Sequence, residues 1–277
     1  MPFDTFGQQP NSPASNLYPT LTEELLGAVR RYRLWIYLAW SDIRQRYRGS
    51  VLGPLWITLS TAIFVAALSV INAELFKAPP EKYIPSLTTG FVIWYFISGT
   101  LSESTNGLFS SKGLISQISL PFYVHIFRVI TRNLLILAHN AIVVFIVLAW
   151  FKTYPTIHIF MIFPSIILVS LILLSAGMIL AMIGARYRDM QQVVASMLQV
   201  LFFVSPITWE AKQISNATWV LHLNPVYYII DALRSPILGT PVHSSTWPIL
   251  LLMTGTTTAV ALWLFNKKRD KIPYWVQ

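Results

Sequence analysis

The chain has 277 residues, of which 55% are hydrophobic and only 11% are charged, with a mean hydropathy of +0.57. A soluble domain averages about 25% charged residues, so this chain has too few charges to cover a surface that faces water. It contains no cysteine, which excludes disulfides, cysteine–zinc sites and a thiol nucleophile. A formal net charge of +9 would suit a nucleic-acid partner, but the distribution of the basic residues argues against that class.

The first twenty residues, MPFDTFGQQPNSPASNLYPT, are rich in Pro, Ser, Asn and Gln. They lack a basic stretch followed by an apolar core, so they do not resemble a secretory signal. We predict a disordered tail over residues 1–20.

Residues 21–50 mix arginines with apolar positions such as Leu25, Leu34 and Leu38. This pattern predicts an amphipathic helix over 22–48, starting near Thr22 and lying in the membrane interface. Gly49, Gly53 and Pro54 should then bend the chain into the first membrane span. The helix is either a plain anchor or a lever that passes a partner's motion to that span.

Six segments are apolar and long enough to cross a hydrocarbon core about 30 Å thick. They are residues 51–76, 87–109, 133–151 (with a start as early as Pro121), 157–185, 193–209 and 247–265. The predicted fold class is therefore all-α, a polytopic membrane protein with six transmembrane helices within 51–265. Residues 266–277 are predicted to be a basic C-terminal tail.

The Lys and Arg residues alternate in density across these spans. Fifteen of the 20 lie before the first span, between spans two and three, between spans four and five, or after span six. The positive-inside rule places these segments and both termini in the cytoplasm. There the basic residues would meet anionic lipid and cytoplasmic partners, so no nucleic-acid partner is needed to explain the charge.

Two cytoplasmic loops are candidate docking elements. The loop at 108–121 contains Leu114 and Ile115, which would form an apolar knob for a soluble partner or belong to a simple connector. The compact loop at 186–192, RYRDMQQ, allows a pair between Arg186 and Asp189. That loop is a second contact or only a basic anchor.

Residues 205–241 form a semi-apolar external segment punctuated by Pro206, Pro225, Pro236 and Pro241. The stretch VYYIIDALRSPIL within it is helix-like but too short to span the membrane, which is typical of re-entrant or interfacial helices. The segment is either a structural cap or a gate over an exit.

Several isolated residues carry two interpretations. Eight tryptophans fall near predicted span ends, where they form an interfacial belt or line a path for sugars. Glu103 and His139 are ionisable groups within spans, so they are members of a proton relay, or Glu103 belongs to a polar patch with Ser102, Ser104 and Asn106.

The chain lacks the G-x-x-x-x-G-K-[ST] and H-E-x-x-H motifs and any pair of carboxylates inside a span. It therefore has neither an energy source nor a catalytic constellation of its own. The combination of a membrane body, cytoplasmic docking loops and an external gate-like segment favours a permease that is driven by a separate ATPase and is not itself an enzyme.

Three stretches carry a family resemblance: DIRQRYRGSVLGPLW at 42–56, ARYRDM at 185–190, and SPITW…LNPVYYIIDALR at 205–234. In this order the chain resembles the membrane subunit of bacterial ABC exporters for O-antigen, teichoic acid and related polysaccharides. The resemblance covers about 34–265 and excludes the first twenty residues.

The resemblance implies a homodimer in the bacterial inner membrane that pairs with two ATP-binding cassette subunits, which would bind ATP and Mg²⁺. This chain would need no cofactor. The cargo would be polysaccharide on undecaprenyl diphosphate, moved outward through a channel between spans one and five of the two protomers.

The resemblance also implies roles for individual residues. Sugar contacts would come from aromatic side chains: Trp56, Phe64, Phe202, Phe203 and Trp209. Arg44, Arg46 and Arg48 would guide the lipid diphosphate or serve only as anchors. The ATPase-coupling residues would be Trp40, Asp42, Ser111, Lys112, Gly113, Leu114, Ile115, Arg186, Arg188 and Asp189. The external gate would use Asn224, Pro225, Tyr227, Tyr228, Asp231 and Arg234.

Two other functions stay open on the sequence. Related six-span permeases export drugs or small lipids with the same ATP-driven plan. A proton-coupled carrier is a weaker alternative because Glu103 and His139 make a thin relay and the two halves show no visible repeat.

Overall fold

The computed structural model describes residues 20–76, 79–113, 120–209 and 218–276. The tail predicted at 1–20 lies outside them except for Thr20. The α-helices are α1 Leu21–Arg30, α2 Tyr32–Arg46, α3 Leu55–Phe76, α4 Pro80–Thr105, α5 Phe122–Trp150, α6 Ile162–Arg186, α7 Met190–Val204, α8 Thr218–Leu223, α9 Pro225–Ile237, α10 Thr246–Lys268 and α11 Ile272–Val276. Short 3₁₀ turns occur at Phe109–Ser111, Ile157–Met161 and Arg269–Lys271. No strand occurs in these ranges, so the all-α prediction is confirmed.

Six apolar helices stand where six spans were predicted. Four segments are long and apolar enough to cross a membrane: Pro80–Thr105, Phe122–Trp150, Ile157–Arg186 and Thr246–Val276. The other two apolar helices are α3, with 22 residues, and the shorter α7. With 15 residues, α7 extends only about 22 Å, because the helix ends at Ser205 and Pro206 instead of continuing to Trp209.

The amphipathic segment is two helices, not the single helix predicted over 22–48. The side chain of Thr20 accepts from the backbone of Glu23, whose carboxylate accepts in return from the Thr20 amide, so α1 begins at Leu21 with a capping box. The helix is interrupted at Arg31, which separates α1 from α2. Across this break the Trp35 indole donates to the Ala28 carbonyl at 3.1 Å. Gly49 (φ 81°) and Gly53 (φ 56°) then adopt left-handed conformations before α3, as their position predicted.

α4 is the central helix of the bundle, and it packs against α3, α5, α6, α7 and α9. Its approach to α6 depends on small residues. A Cβ added at Gly184 would lie 1.9 Å from the Thr105 carbonyl oxygen, and one added at Gly177 would lie 2.7 Å from the Ser104 hydroxyl oxygen. The backbones of α4 and α6 therefore lie nearly in contact around Thr105 and Gly184.

The helices nearest the two termini lie at one end of the bundle, which we call the interface end. Ala28 of α1, Phe122 of α5, Ala185 of α6, Phe265 of α10 and Ile272 of α11 share one buried cluster there. This grouping agrees with the alternation of span directions drawn from the charges. The segment predicted as a basic tail is folded, because Ile272 and Val276 are buried.

Candidate functional site

Aromatic side chains from three helices form a contact cluster within the bundle. The Phe64 ring of α3 stacks on Phe91 of α4 with centroids 4.7 Å apart. Phe91 also meets Tyr95 at 4.8 Å and Phe202 of α7 at 6.1 Å. Trp94 lies 5.7 Å from Phe202. We call this group the aromatic cluster.

A shallow cavity of about 360 Å³ opens beside the aromatic cluster. Besides aromatic rings, Ser98 and Gln199 line it. On α7, the exposed residues Gln192, Ser196, Gln199 and Phe203 recur at the spacing of one helix face. This face of α7 therefore carries three polar side chains and one aromatic ring. Trp56, Ser60 and Phe64 make an exposed stripe on α3. Together these surfaces form one polar and aromatic face, which we call the α3–α7 face.

The structure brings together most of the residues predicted to contact sugar. Phe64 and Phe202 meet through Phe91, Phe203 touches Phe202 at 5.3 Å, and the Trp209 indole donates to the Phe203 carbonyl at 3.1 Å. Trp56 lies about 12 Å from Phe64 along α3 and has no ring contact among the described residues. Phe91 and Tyr95 were not predicted, and Trp94 was predicted only as one of the eight tryptophans of the interfacial belt or sugar path. Their spacing of three and four residues on a predicted span was the available signal.

At the interface end, acidic and basic side chains alternate in one network. Asp42 of α2 accepts from Arg128 Nε at 2.8 Å and from Arg132 Nη1 at 2.5 Å. Arg132 Nη2 donates to Glu103 of α4 at 2.7 Å, and Arg46 Nη2 donates to the other Glu103 oxygen at 3.0 Å. This interface network joins α2, α4 and α5.

The interface network favours the ionised form of Asp42. Burial opposes its ionisation, but the hydrogen bonds and charges of Arg128 and Arg132 outweigh that cost and hold the Asp42 pKa below its ordinary value. Asp42 was predicted to contact an ATPase. Its carboxylate instead faces the bundle with a side-chain exposure of 13%, so any coupling through it would be indirect.

Glu103 belongs to a polar network, though with different partners from those expected. Its carboxylate bonds Arg46, Arg132 and Asn133 in place of Ser102, Ser104 and Asn106. His139 bonds the Leu135 carbonyl of its own helix at 2.8 Å. Glu103 and His139, the two members of the predicted proton relay, therefore bond different partners and not each other.

The arginines predicted at a lipid-diphosphate entrance sit on the exposed side of α2 and the turn after it. Arg44, Arg46 and Arg48 are all exposed. Of the three, Arg46 is the one that bonds Glu103.

The predicted docking residues differ in accessibility. Trp40, Lys112, Gly113, Arg188 and Asp189 are exposed, whereas Ser111 is buried and donates to the Gly107 carbonyl. Leu114 and Ile115 lie outside the described residues. Arg186 is exposed but lies over the Tyr187 and Trp275 rings at 4.9 and 5.7 Å. The structure does not form the anticipated pair between Arg186 and Asp189.

The external segment is anchored where α7 ends. Asn224 caps α9 by accepting from the Val226 amide at 2.9 Å, and Pro225 occupies the first helical turn. The Asn224 amide also donates to the buried Ser205 hydroxyl at 2.8 Å. Arg234 donates to the Pro206 carbonyl at 2.8 Å, and Tyr83 donates to the Thr208 carbonyl at 2.6 Å. These bonds fix the turn that follows α7 to α4 and α9.

Asp231 ties α9 to the first turn of the last span. It accepts from the Thr246 hydroxyl at 2.6 Å, from the Ser235 hydroxyl at 2.8 Å and from His243 Nδ1 at 3.0 Å. Burial opposes its ionisation, but these hydrogen bonds prevail and lower the Asp231 pKa from its ordinary value. Tyr228 is buried and bonds the His222 carbonyl, whereas Tyr227 is half-buried. Much of α9 is thus packed inside the bundle instead of resting on it as a loose lid.

Comparison with known proteins matches this architecture to a transporter family. The chain is 25% identical over 260 residues to the O-antigen export system permease protein RfbA of Myxococcus xanthus, covering 89% of this chain and 97% of that protein. It is 22% identical over 242 residues to a protein of the same name from Klebsiella pneumoniae, covering 85% and 92%. It is 21% identical over 234 residues to the polysialic acid transport protein KpsM of Escherichia coli, covering 83% and 91%.

A family model for ABC-2 type transporters matches residues 33–238, from the start of α2 to the end of α9. The match includes the interface network, the aromatic cluster and the tethered external segment. The chain therefore belongs to the ABC-2 type transporter family.

Proposed function

We propose that this chain is the channel-forming permease of an ABC exporter for lipid-linked polysaccharide. Two copies would assemble with two ATPase subunits in the bacterial inner membrane, with both termini in the cytoplasm. The cargo would be an O-antigen-like glycan on undecaprenyl diphosphate, moved outward. The names of the relatives support a polysaccharide as the class of cargo.

The α3–α7 face is the observation that carries this proposal. Gln192, Ser196 and Gln199 are exposed along a helix whose other residues, apart from Gln191, are apolar. The Ser196 hydroxyl donates to the Gln192 carbonyl of its own helix at 3.0 Å, but the side-chain amides of Gln192 and Gln199 would be costly in hydrocarbon. This face is therefore poorly suited to lipid. Aromatic rings beside hydroxyl and amide groups suit a sugar chain, whose rings have apolar faces and hydroxyl edges.

The interface network supports a lever in preference to a passive anchor. α2 presents Trp40 outward and binds α5 through Asp42 on its inner side. A partner that moves α2 would therefore also move α5 and, through Arg132 and Glu103, α4. Arg44, Arg46 and Arg48 remain proposed contacts for the lipid diphosphate, because guanidinium groups bind phosphate bidentately.

Deletion and complementation in the native host test the proposal. We expect loss of surface polysaccharide with accumulation of the lipid-linked glycan inside the cell, and co-purification of the chain with an ATPase. Normal surface glycan in the deletion strain would contradict it. Rescue by wild type but not by Gln199→Leu would assign the defect to the α3–α7 face, with the lipid-exposed Leu251→Ile as matched control.

The alternative functions predict different results in the same strain. An exporter of a drug or small lipid would leave the surface glycan intact and alter resistance or lipid composition. A proton-coupled carrier would keep transporting when ATP is depleted and the proton gradient is maintained. The separate bonding of Glu103 and His139 gives no support to the second alternative.

A further inference from the structure

A second cavity, apart from the α3–α7 face, lies at the interface end between α4 and α5. Its volume is about 310 Å³. The side chains that line it are predominantly polar: Arg46, Ser102, Glu103, Asn106, Ser110, Ser111, His125, Arg128, Arg132 and Gln191. It is large enough to hold a small multivalent ion with bound water.

His125 gives this cavity its unusual feature. The side chain is 1% exposed, and within the described ranges neither Nδ1 nor Nε2 has a hydrogen-bond partner. Leaving a buried polar group unpaired costs free energy, so each such group in a native structure needs an explanation, and a bound water, ion or ligand is one. Because His125 also lines the cavity, a ligand there can reach the imidazole.

The charges of the lining indicate the class of ligand. Three guanidinium groups line the cavity against the single carboxylate of Glu103. Asp42 does not line the cavity but neutralises part of this charge by pairing with Arg128 and Arg132. With three arginines and two carboxylates, the interface network still has a net positive charge. The side-chain amides of Asn106 and Gln191 add donors. Such a surplus of donors favours an anion that offers several oxygens.

We propose that this cavity binds a phosphate-class anion, held chiefly by Arg46 and His125. The anion is either the phosphate headgroup of a lipid or a free phosphate or diphosphate. Arg46 is exposed at the rim and His125 is buried at the wall, so the two approach the ligand from different elements, α2 and α5. The site shares Arg46 with the contacts proposed for the lipid diphosphate, and in that respect the inference rests on the proposed function. It can still be tested without cargo or transport: failed pyrophosphate binding would remove this role of Arg46, whereas the surface polysaccharide of the deletion strain tests export separately.

The test is calorimetric titration of inorganic pyrophosphate into the full-length chain in phosphatidylcholine nanodiscs at constant ionic strength. We expect saturable binding that weakens about tenfold or more in Arg46→Gln and in His125→Leu, since each loses a hydrogen bond to a charged ligand. The matched controls are Arg33→Gln, on the same helix but outside the cavity, and His139→Asn, further along α5. Both should bind within about twofold of wild type.

The variants also separate binding from folding. His125→Leu removes an unpaired buried polar group, so its unfolding temperature without pyrophosphate should equal or exceed that of wild type. If His125→Leu fails to fold, Arg46→Gln alone decides, because the Arg46 side chain is exposed. Absence of pyrophosphate binding, equal binding of sulfate, or equal weakening in the controls would overturn the assignment.

A second arm identifies the source of the phosphate. Nanodiscs containing phosphatidic acid should compete with pyrophosphate in wild type if the natural occupant is a lipid headgroup. Unchanged pyrophosphate affinity in those nanodiscs would assign the site to a free phosphate compound.

Discussion

Asp42 and Arg132 are joined by a hydrogen-bonded ion pair of 2.5 Å, although they lie 90 positions apart in the chain. Through this pair the interface helix α2 is fastened to a membrane span. Arg132 then continues to Glu103 at 2.7 Å. The three helices α2, α4 and α5 thereby share one network at the interface end of the bundle.

Removal of Asp42 should destabilise the protein strongly. Asp42→Ala leaves Arg128 and Arg132 without their shared carboxylate at side-chain exposures of 22% and 15%. Breaking a buried pair from one side costs about 3 kcal/mol. Unfolding of the purified chain in detergent should show this loss. The matched change Arg33→Gln on the exposed side of α2 should leave the unfolding midpoint unchanged. If Asp42→Ala unfolded at the same midpoint as wild type, the network would have no structural role.

Gly184 should be intolerant of any side chain. The Cβ of Gly184→Ala would lie 1.9 Å from the Thr105 carbonyl oxygen, so α4 and α6 must separate at a cost of about 2 kcal/mol or more. Gly255→Ala in α10 is the control, because nothing lies within 4 Å of its added Cβ. In thermal unfolding, Gly184→Ala should lower the unfolding temperature clearly, whereas Gly255→Ala should not. Equal stability would show that the helices are not packed this closely.

Glu24 should make stability depend on pH near neutrality. Its burial raises its pKa to about 7, although the Phe122 amide and the Arg269 charge oppose the rise. The folded protein then retains a proton between about pH 4.5 and 7 that the unfolded chain releases, so stability falls as pH rises through that window and levels off above it. The full change is about 3 kcal/mol.

Glu24→Gln is the corresponding variant, because its amide oxygen still accepts from the Phe122 amide at the start of α5. Unfolding midpoints at pH 5 and pH 8 should differ less in this variant than in wild type. Glu23→Gln, on the exposed face of α1, should keep the wild-type difference. Parallel pH curves for wild type and Glu24→Gln would rule out the raised pKa.

Asp231 should show the opposite pH dependence. Its pKa is lowered from 3.8 in the folded protein, so its tether contributes stability above pH 4 that is lost as pH falls through the folded-state pKa. Asp231→Asn should remove this acid-side dependence and loosen the start of α10. Hydrogen exchange at the Thr246 amide region should rise in the variant. Unaltered exchange there would show that Asp231 does not hold the last span.

The sequence predicted the spans, the interface segment and the half-helical external segment because each depends on local composition and spacing. It could not predict the Asp42–Arg132 pair, since nothing local specifies which carboxylate meets which arginine across 90 residues. The aromatic cluster was found only in part: Phe64 and Phe202 belonged to spans singled out by resemblance, whereas Phe91 lies on the central helix, whose contacts only the packing determines. The cavity around His125 was likewise invisible, because burial without a partner is a property of the fold.

The helix boundaries show the same limit. The capping box formed by Thr20 and Glu23 is a local sequence motif. The helix was nevertheless predicted to start near Thr22, because of the apolar residues that follow it. α7 ends before Ser205 because Pro206 follows it, and the residue before a proline is disfavoured in the α-helical conformation. The Ser205 hydroxyl then bonds Asn224 and the Pro206 carbonyl bonds Arg234, so a local proline and distant polar partners set the length of this span more than its hydropathy does.

Cysteine labelling tests most directly whether the α3–α7 face lines a hydrated path. The chain has no cysteine, so Gln199→Cys on that face and Phe145→Cys on the exposed side of α5 each give it a single thiol, and the label is read on this chain after its separation from the ATPase. The measurement is the rate of reaction with a membrane-impermeant charged thiol reagent in the ATPase complex during ATP hydrolysis. The account predicts that Gln199→Cys reacts at least about tenfold faster than Phe145→Cys, because thiolates form and react in water but not in hydrocarbon. Equal, slow reaction at both positions would contradict it.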